Sequence, residues 1–149
     1  MSQLIKFWGI NRHEKKLFCE ALSLLLLSQL CVKLIAFRHI YRFLGSPWKP
    51  ERQCNLDLTD EIRIVTLSVS RAAGGLPWKS LCLSRSIAAF LMFRRRGIPA
   101  VVLAGVKFEG SSLLAHAWIH AGHGIPSSEV EAAPFSVVMR IGQAVADAA

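Results

Sequence analysis

Two short stretches carry the residue types that acyl chemistry at sulfur needs. Leu76-Pro77-Trp78-Lys79-Ser80-Leu81-Cys82-Leu83-Ser84-Arg85 sets a cysteine after a Pro-Trp turn and a serine that can cap a helix. Ala115-His116-Ala117-Trp118-Ile119 sets a histidine in a strand-like pattern. A thiol attacks a carbonyl only as thiolate, a form favoured at a helix N-terminus or beside an imidazolium. With Ser80 as N-cap, Cys82 falls at the second helical position, where unpaired backbone N–H groups and the helix dipole favour negative charge. The same amides can hold the oxyanion of a tetrahedral intermediate. His116 then takes the thiol proton and returns it to the leaving amine. Taken singly, Cys82 also fits inert packing and His116 a structural hydrogen bond, because such pairs are adjacent in space rather than in sequence.

These residues need elements to hold them. The 149 residues suffice for one domain with a core, and a hydrophobic fraction of 52% excludes a disordered chain. From Arg12 to Leu44 the pattern is helical, with Leu17, Ala21, Leu24, Leu27, Cys31, Leu34 and Phe37 on one face. Apolar residues spill round the rest of the circumference between Leu22 and Leu30, so burial on more than one side is expected. Gly45-Ser46-Pro47 ends this region, and Trp48 to Leu58 reads as a linker. A second helix starts at Thr59 or Asp60, turns Ile62, Val65, Val69, Ala72 and Ala73 inward, and stops at Gly74-Gly75. A third runs from Leu81 to Arg96, before Gly97 and Pro99.

The period then changes. Ala100 to Phe108 and Leu113 to His120 read as antiparallel strands about a turn at Glu109-Gly110-Ser111-Ser112, and Phe135 to Met139 as a third. The expected class is α+β, a helical N-terminal half packed on a small antiparallel sheet. Residues 1–50 are read as a helical lead-in, 51–142 as the core and 143–149 as a frayed tail.

Charge and cysteine usage bound the setting. The net charge is +8, which suits an acidic partner without naming one. Arg94-Arg95-Arg96 is the one dense basic run, and a helix C-terminus accounts for it better than nucleic acid. Cys19, Cys31, Cys54 and Cys82 contain no Cys-x-x-Cys pair, and the polar first residues do not resemble a secretory signal. A cytoplasmic, reducing setting with free thiols is expected. Leu17 to Phe37 is apolar enough to raise a membrane span, but Glu20, Gln29 and Lys33 interrupt it, and a packed helix or helix pair is the preferred reading. His116 and His120 lie about 13 Å apart if both are on a strand, too far to share an ion, and His123 sits in a glycine-flanked turn. No metal and no cofactor are expected.

The sequence resembles the transglutaminase-like B-proteins of lasso-peptide (microcin-type) biosynthesis. The matching segments are Pro77 to Ser86, Arg95-Arg96-Gly97-Ile98-Pro99-Ala100, Gly105-Val106 and Ala115-His116-Ala117-Trp118. The resemblance implies a papain/transglutaminase-like fold and a cysteine peptidase that removes the leader from a ribosomally made precursor. It implies Cys82 as nucleophile and His116 as base and acid. It further implies a separate leader-recognition protein, since residues 1–50 lack a strand-rich module, and an asparagine-synthetase-like cyclase that closes the macrolactam. Trp78 and Trp118 are candidate substrate-facing walls, with core packing as the alternative. The family places an Asp about a dozen residues after the His, but here the region reads Ile125-Pro126-Ser127-Ser128-Glu129-Val130-Glu131. Glu129 is the candidate to orient His116, ahead of Glu131 or Ser128. A fold that keeps the architecture as a weakened, scaffolding partner is the competing expectation.

Overall fold

The computed structural model describes residues 11–45, 58–122 and 134–143. The first ten residues of the expected lead-in, the linker up to Leu58 and the tail beyond Gln143 lie outside these residues, while most of the lead-in falls in the first two helices. The described order is α1 (Arg12–Leu34), α2 (Phe37–Leu44), α3 (Leu58–Gly74), α4 (Cys82–Arg95), β1 (Ala100–Glu109), β2 (Ser112–Ala121) and β3 (Ser136–Gln143). Helices precede an antiparallel sheet of order β2-β1-β3, an α+β arrangement.

The first apolar run is two helices rather than one. Ile35 is extended, at φ −108° and ψ 133°, and its N–H closes α1 on the Cys31 carbonyl. No Gly or Pro stands there to announce the break. The buried face of α1 also differs from the expected stripe. Leu17, Ala21, Leu25, Ser28 and Gln29 are buried, whereas Leu27, Leu30 and Leu34 are exposed. Steps of four residues rather than three follow the surface that packs on α3 and α4. Ser28 can sit in that contact because its hydroxyl donates to the Leu24 carbonyl one turn back.

On α3 the inward residues are Ile62, Val65, Val69, Ala72 and Ala73, as the spacing predicts. They join Ile87, Ala88, Phe90, Met92 and Phe93 of α4 and the inner sheet residues Ala100, Val102, Ile119, Ala121 and Ile141 in one core. Small residues at Ala72, Ala73, Ala88 and Ala89 let helices approach closely around the two buried phenylalanines. The other face of the sheet carries a smaller cluster of Val101, Leu103 and Trp118, with Phe135 against it.

Glu20, which interrupts the apolar run of α1, is explained by its partners. Its carboxylate accepts from both terminal nitrogens of Arg96, at 3.2 and 2.6 Å, and pairs with Arg95 at 3.2 Å. Arg96 also donates to the Met92 carbonyl at 2.7 Å. The arginine run at the end of α4 therefore does more than complement a dipole. It ties α4 to α1 through a bidentate, largely shielded pair. Glu20→Ala is expected to lower unfolding free energy by about 2–3 kcal/mol, since it strands a partly buried guanidinium. Urea unfolding checks this, and an unchanged midpoint would contradict it.

Strands β1 and β2 form a hairpin in continuous register from Ala100↔Ala121 to Glu109↔Ser112. Gly110 takes φ +63° at the first turn position and no positive φ follows at Ser111, the pattern of a type II′ turn. Strand β3 runs to Gln143, beyond the expected end at Met139, and pairs on the other side of β1. Its register slips between Ala104↔Met139 and Gly105↔Val137, leaving Val138 as a bulge.

Candidate active site

Cys82 is the first residue of α4. The N-cap is Leu81, at φ −66° and ψ 141°, and not Ser80 as expected. The Ser80 hydroxyl is engaged otherwise: it accepts a hydrogen bond from Arg85 Nε. No side chain caps the first-turn amides of α4, so they stay available to an anion at the thiol. The chain enters from a turn at Pro77-Trp78, and the Trp78 indole donates to Gln29 Oε1 of α1 at 3.1 Å. This bond anchors the approach to Cys82 on the first helix.

His116 lies on β2, an edge strand. Its register partner on β1 is Gly105. The imidazole stacks on Trp118, with ring centroids 6.1 Å apart and planes at 15°. Phe135 flanks it at 5.4 Å and is itself covered by the Lys107 ammonium, 5.1 Å from its centroid. Gly105 makes this stack geometrically possible. A Cβ there would stand 2.9 Å from Trp118 Cη2 and 3.0 Å from Phe135 Cβ. The tryptophan, the phenylalanine and the missing side chain together fix the ring plane.

Cys82 and His116 line one cleft of about 310 Å³, with Arg85 and Ser86 from α4, Thr66, Val69 and Ser70 from α3, and Ala117 and Ile119 from β2. Consecutive residues 116 and 117 point to opposite faces of a strand, yet both reach the cleft. The imidazole itself lies with Trp118 and Phe135 on the sheet face away from the helical core, and His116 meets the cleft where β2, an edge strand among the described residues, passes the start of α4. Trp78 and Trp118 do not line it. Trp78 is half exposed and held by Gln29, and Trp118 is buried beneath the imidazole.

The polar groups of the lining are largely accounted for. Thr66 donates to the Ile62 carbonyl at 2.9 Å, and Ser86 to the Cys82 carbonyl at 3.1 Å. Ser84 cannot do the same, because the residue four before it precedes the helix, and its buried hydroxyl makes no hydrogen bond among the described residues. His116 Nε2 is likewise buried without a partner among the described residues. An imidazole acting as base needs an acceptor at one nitrogen to hold its tautomer and plane. Glu129, with its alternatives Glu131 and Ser128, lies outside the described residues, as does His123. Among the described residues no group of three or more His, Cys, Asp and Glu could hold a metal ion.

Arg85, Ser86, Thr66 and Ser70 escape a reading by motif. Arg85 and Ser86 follow Cys82 by three and four positions, so helical spacing alone brings them to its face. Thr66 and Ser70, four apart on α3, carry the same signal but no neighbour in sequence to interpret it. Phe135 has no local cue at all.

Fold and cleft together define an α+β protein in which a helix-start cysteine and an edge-strand histidine line one cleft. The chain belongs to the transglutaminase-like superfamily, whose family model matches residues 24–140. That superfamily includes cysteine peptidases and is commonly associated with cysteine-protease and acyl-transfer chemistry. Searches of curated proteins and of solved structures give no match.

Proposed function

We propose that this protein is a cytoplasmic cysteine peptidase that removes the leader from a lasso-peptide precursor. The observation that carries the reading is the shared cleft of Cys82 and His116 at the start of α4. The Cys82 thiolate adds to the scissile carbonyl, and the uncapped amides of α4 hold the resulting oxyanion. His116, having taken the thiol proton, gives it to the departing amine of the core peptide. Water, deprotonated by the same imidazole, then cleaves the leader thioester and restores the thiol. No cofactor enters this sequence. A separate recognition protein presents the leader, and a cyclase of asparagine-synthetase type consumes the freed core.

The direct experiment mixes the protein, the precursor and the recognition partner and follows leader and core by mass spectrometry. Two fragments whose masses sum to the precursor plus water support the reading. Intact precursor under all combinations of partners would leave the scaffolding role as the better account. His116 Nε2, buried and without a partner among the described residues, is the observation favouring that second role.

Within the peptidase reading, Glu129 decides between a triad and a dyad. If its carboxylate completes the site, Glu129→Gln lowers the cleavage rate at least about 10-fold, with KM little changed, because orientation of the base matters chiefly in the transition state. Equal rates would mean a Cys82–His116 dyad.

A further inference from the structure

The thiol cleft holds one fixed charge that its own walls do not neutralise. Among the described residues lining it none is Asp or Glu, and Arg85 is the only Lys or Arg. Arg95 and Arg96, at the far end of α4, share Glu20, whereas Arg85 has no ion pair among the described residues. Its Nε donates instead to the buried Ser80 hydroxyl. Ser80 precedes Cys82 by two positions, so this bond draws the guanidinium back over the first turn of α4, toward the chain that enters the thiol. A serine so placed would ordinarily cap the helix. Here it holds an arginine, and no side chain caps α4. With Nε taken, the two terminal nitrogens remain, the end-on fork that matches both oxygens of a carboxylate.

We propose that Arg85 is a specificity-determining residue of this cleft, selecting peptides with an Asp or Glu side chain within about two residues of the bond presented to Cys82. The inference rests on the peptidase reading for that bond, and on the cleft alone for the choice of side chain. Residues three apart on a helix stand about 5–6 Å apart at Cβ. One residue of extended chain spans at most about 3.6 Å. A peptide whose carbonyl lies at the thiol therefore carries a neighbouring side chain past Arg85. Thr66 and Ser86 commit their hydroxyl protons to helix carbonyls, which leaves Arg85 the strongest donor that the lining offers an anion. The two kinds of donor then divide the task. The α4 amides meet charge that develops only during reaction, and the guanidinium meets charge that the substrate already carries.

The test captures peptides on immobilised full-length Cys82→Ala protein, which cannot form a thioester. The probe is a random peptide library acetylated and amidated at its ends, so that side chains hold the only carboxylates. Captured peptides are read by mass spectrometry. Asp or Glu should exceed Asn and Gln about 5–10-fold at one position, the size of one charge-assisted pair. Arg85→Gln in the same background should bring that ratio to parity. Arg85→Lys, which keeps the charge without the fork, should retain only part of it. Ser80→Ala should also lower the ratio, with circular dichroism unchanged, as befits a positioning residue. Arg140→Gln, exposed on β3 and outside the lining, controls for the net charge of +8 and should leave the ratio alone. No acid preference, or one that persists in Arg85→Gln, would overturn the proposal. So would capture of only those peptides that have a free C-terminus, which would give the guanidinium to a chain-end carboxylate. A parent without acid preference whose Tm falls several degrees in Arg85→Gln would mean that a carboxylate of this chain already holds the guanidinium, and would overturn it too. The peptidase reading fails separately. Intact precursor beside an Arg85-dependent acid preference sinks that reading and leaves a selective peptide-binding cleft, whereas cleavage without the preference sinks this inference alone.

Discussion

Replacing Cys82 with alanine is expected to abolish leader cleavage, lowering the single-turnover rate at least about 10⁴-fold. The nucleophile has no substitute in the cleft. Ser86, the nearest hydroxyl in helical register, donates its proton to the Cys82 carbonyl. His116→Ala should cost roughly 10²–10⁴-fold, the range of a general acid–base contribution. The double variant should be little worse than Cys82→Ala alone, because the two groups act as one unit. Cys82→Ala should disturb folding little, because the thiol is only half buried, whereas His116→Ala also removes the ring stacked on Trp118 and Phe135 and should lower stability. A matched pair of urea curves for parent and Cys82→Ala would separate lost chemistry from lost structure. A Cys82→Ala protein that cleaves at the parent rate would sink the assignment.

Gly142→Ala carries the largest expected effect on stability. Gly142 has φ +107°, a backbone region that L side chains rarely adopt. A Cβ there would stand 2.6 Å from Phe90 Cε2 and 2.7 Å from the Ala100 carbonyl. Phe90 cannot retreat, since it is fully buried in the helix–sheet core. The strained φ costs about 1–3 kcal/mol and the overpacking a similar amount. The variant should lose about 3 kcal/mol or more, which at about 2 kcal/mol per M is a fall of at least roughly 1.5 M in the urea midpoint. An unchanged midpoint would mean that β3 does not pass Phe90 as described.

These two positions also show how unequally the sequence speaks. Cys82 was legible because a turn, a break in periodicity and a helix start converge on it. The hairpin was legible because Gly110 stands between a β-branched run and a second apolar run of strand-like length. Gly142 was not: in sequence it is one glycine before an Ala-rich tail, and only the pairing of β3 with β1 gives it a conformation. The break at Ile35-Ala36 is silent for a related reason. The apolar period runs through it, and neither Gly nor Pro marks it. Exposure was misjudged on the same helix. Hydrophobicity says what a side chain would gain by burial, not whether a neighbour is there to provide it. Leu27 and Leu34 read as core and stand at the surface. Glu20 read as an interruption and is a cross-helix tie to Arg96, a partner far along the chain that no local pattern reveals. At the site, the surroundings of His116 depend on Gly105, Trp118 and Phe135 from three strand-forming segments. Only the Trp118 spacing belongs to the histidine's own strand.

Thiol modification mapped against activity tests the central claim most directly. Full-length protein is treated with limiting iodoacetamide, and each time point is divided between peptide mapping of Cys19, Cys31, Cys54 and Cys82 and a leader-cleavage assay. Residual activity should fall in step with carboxamidomethylation of Cys82, whatever the extent of reaction at the exposed Cys19. Precursor and recognition partner added beforehand should slow labelling at Cys82 alone. Cleavage that persists at the full rate once Cys82 is completely alkylated would show that this thiol is not the nucleophile.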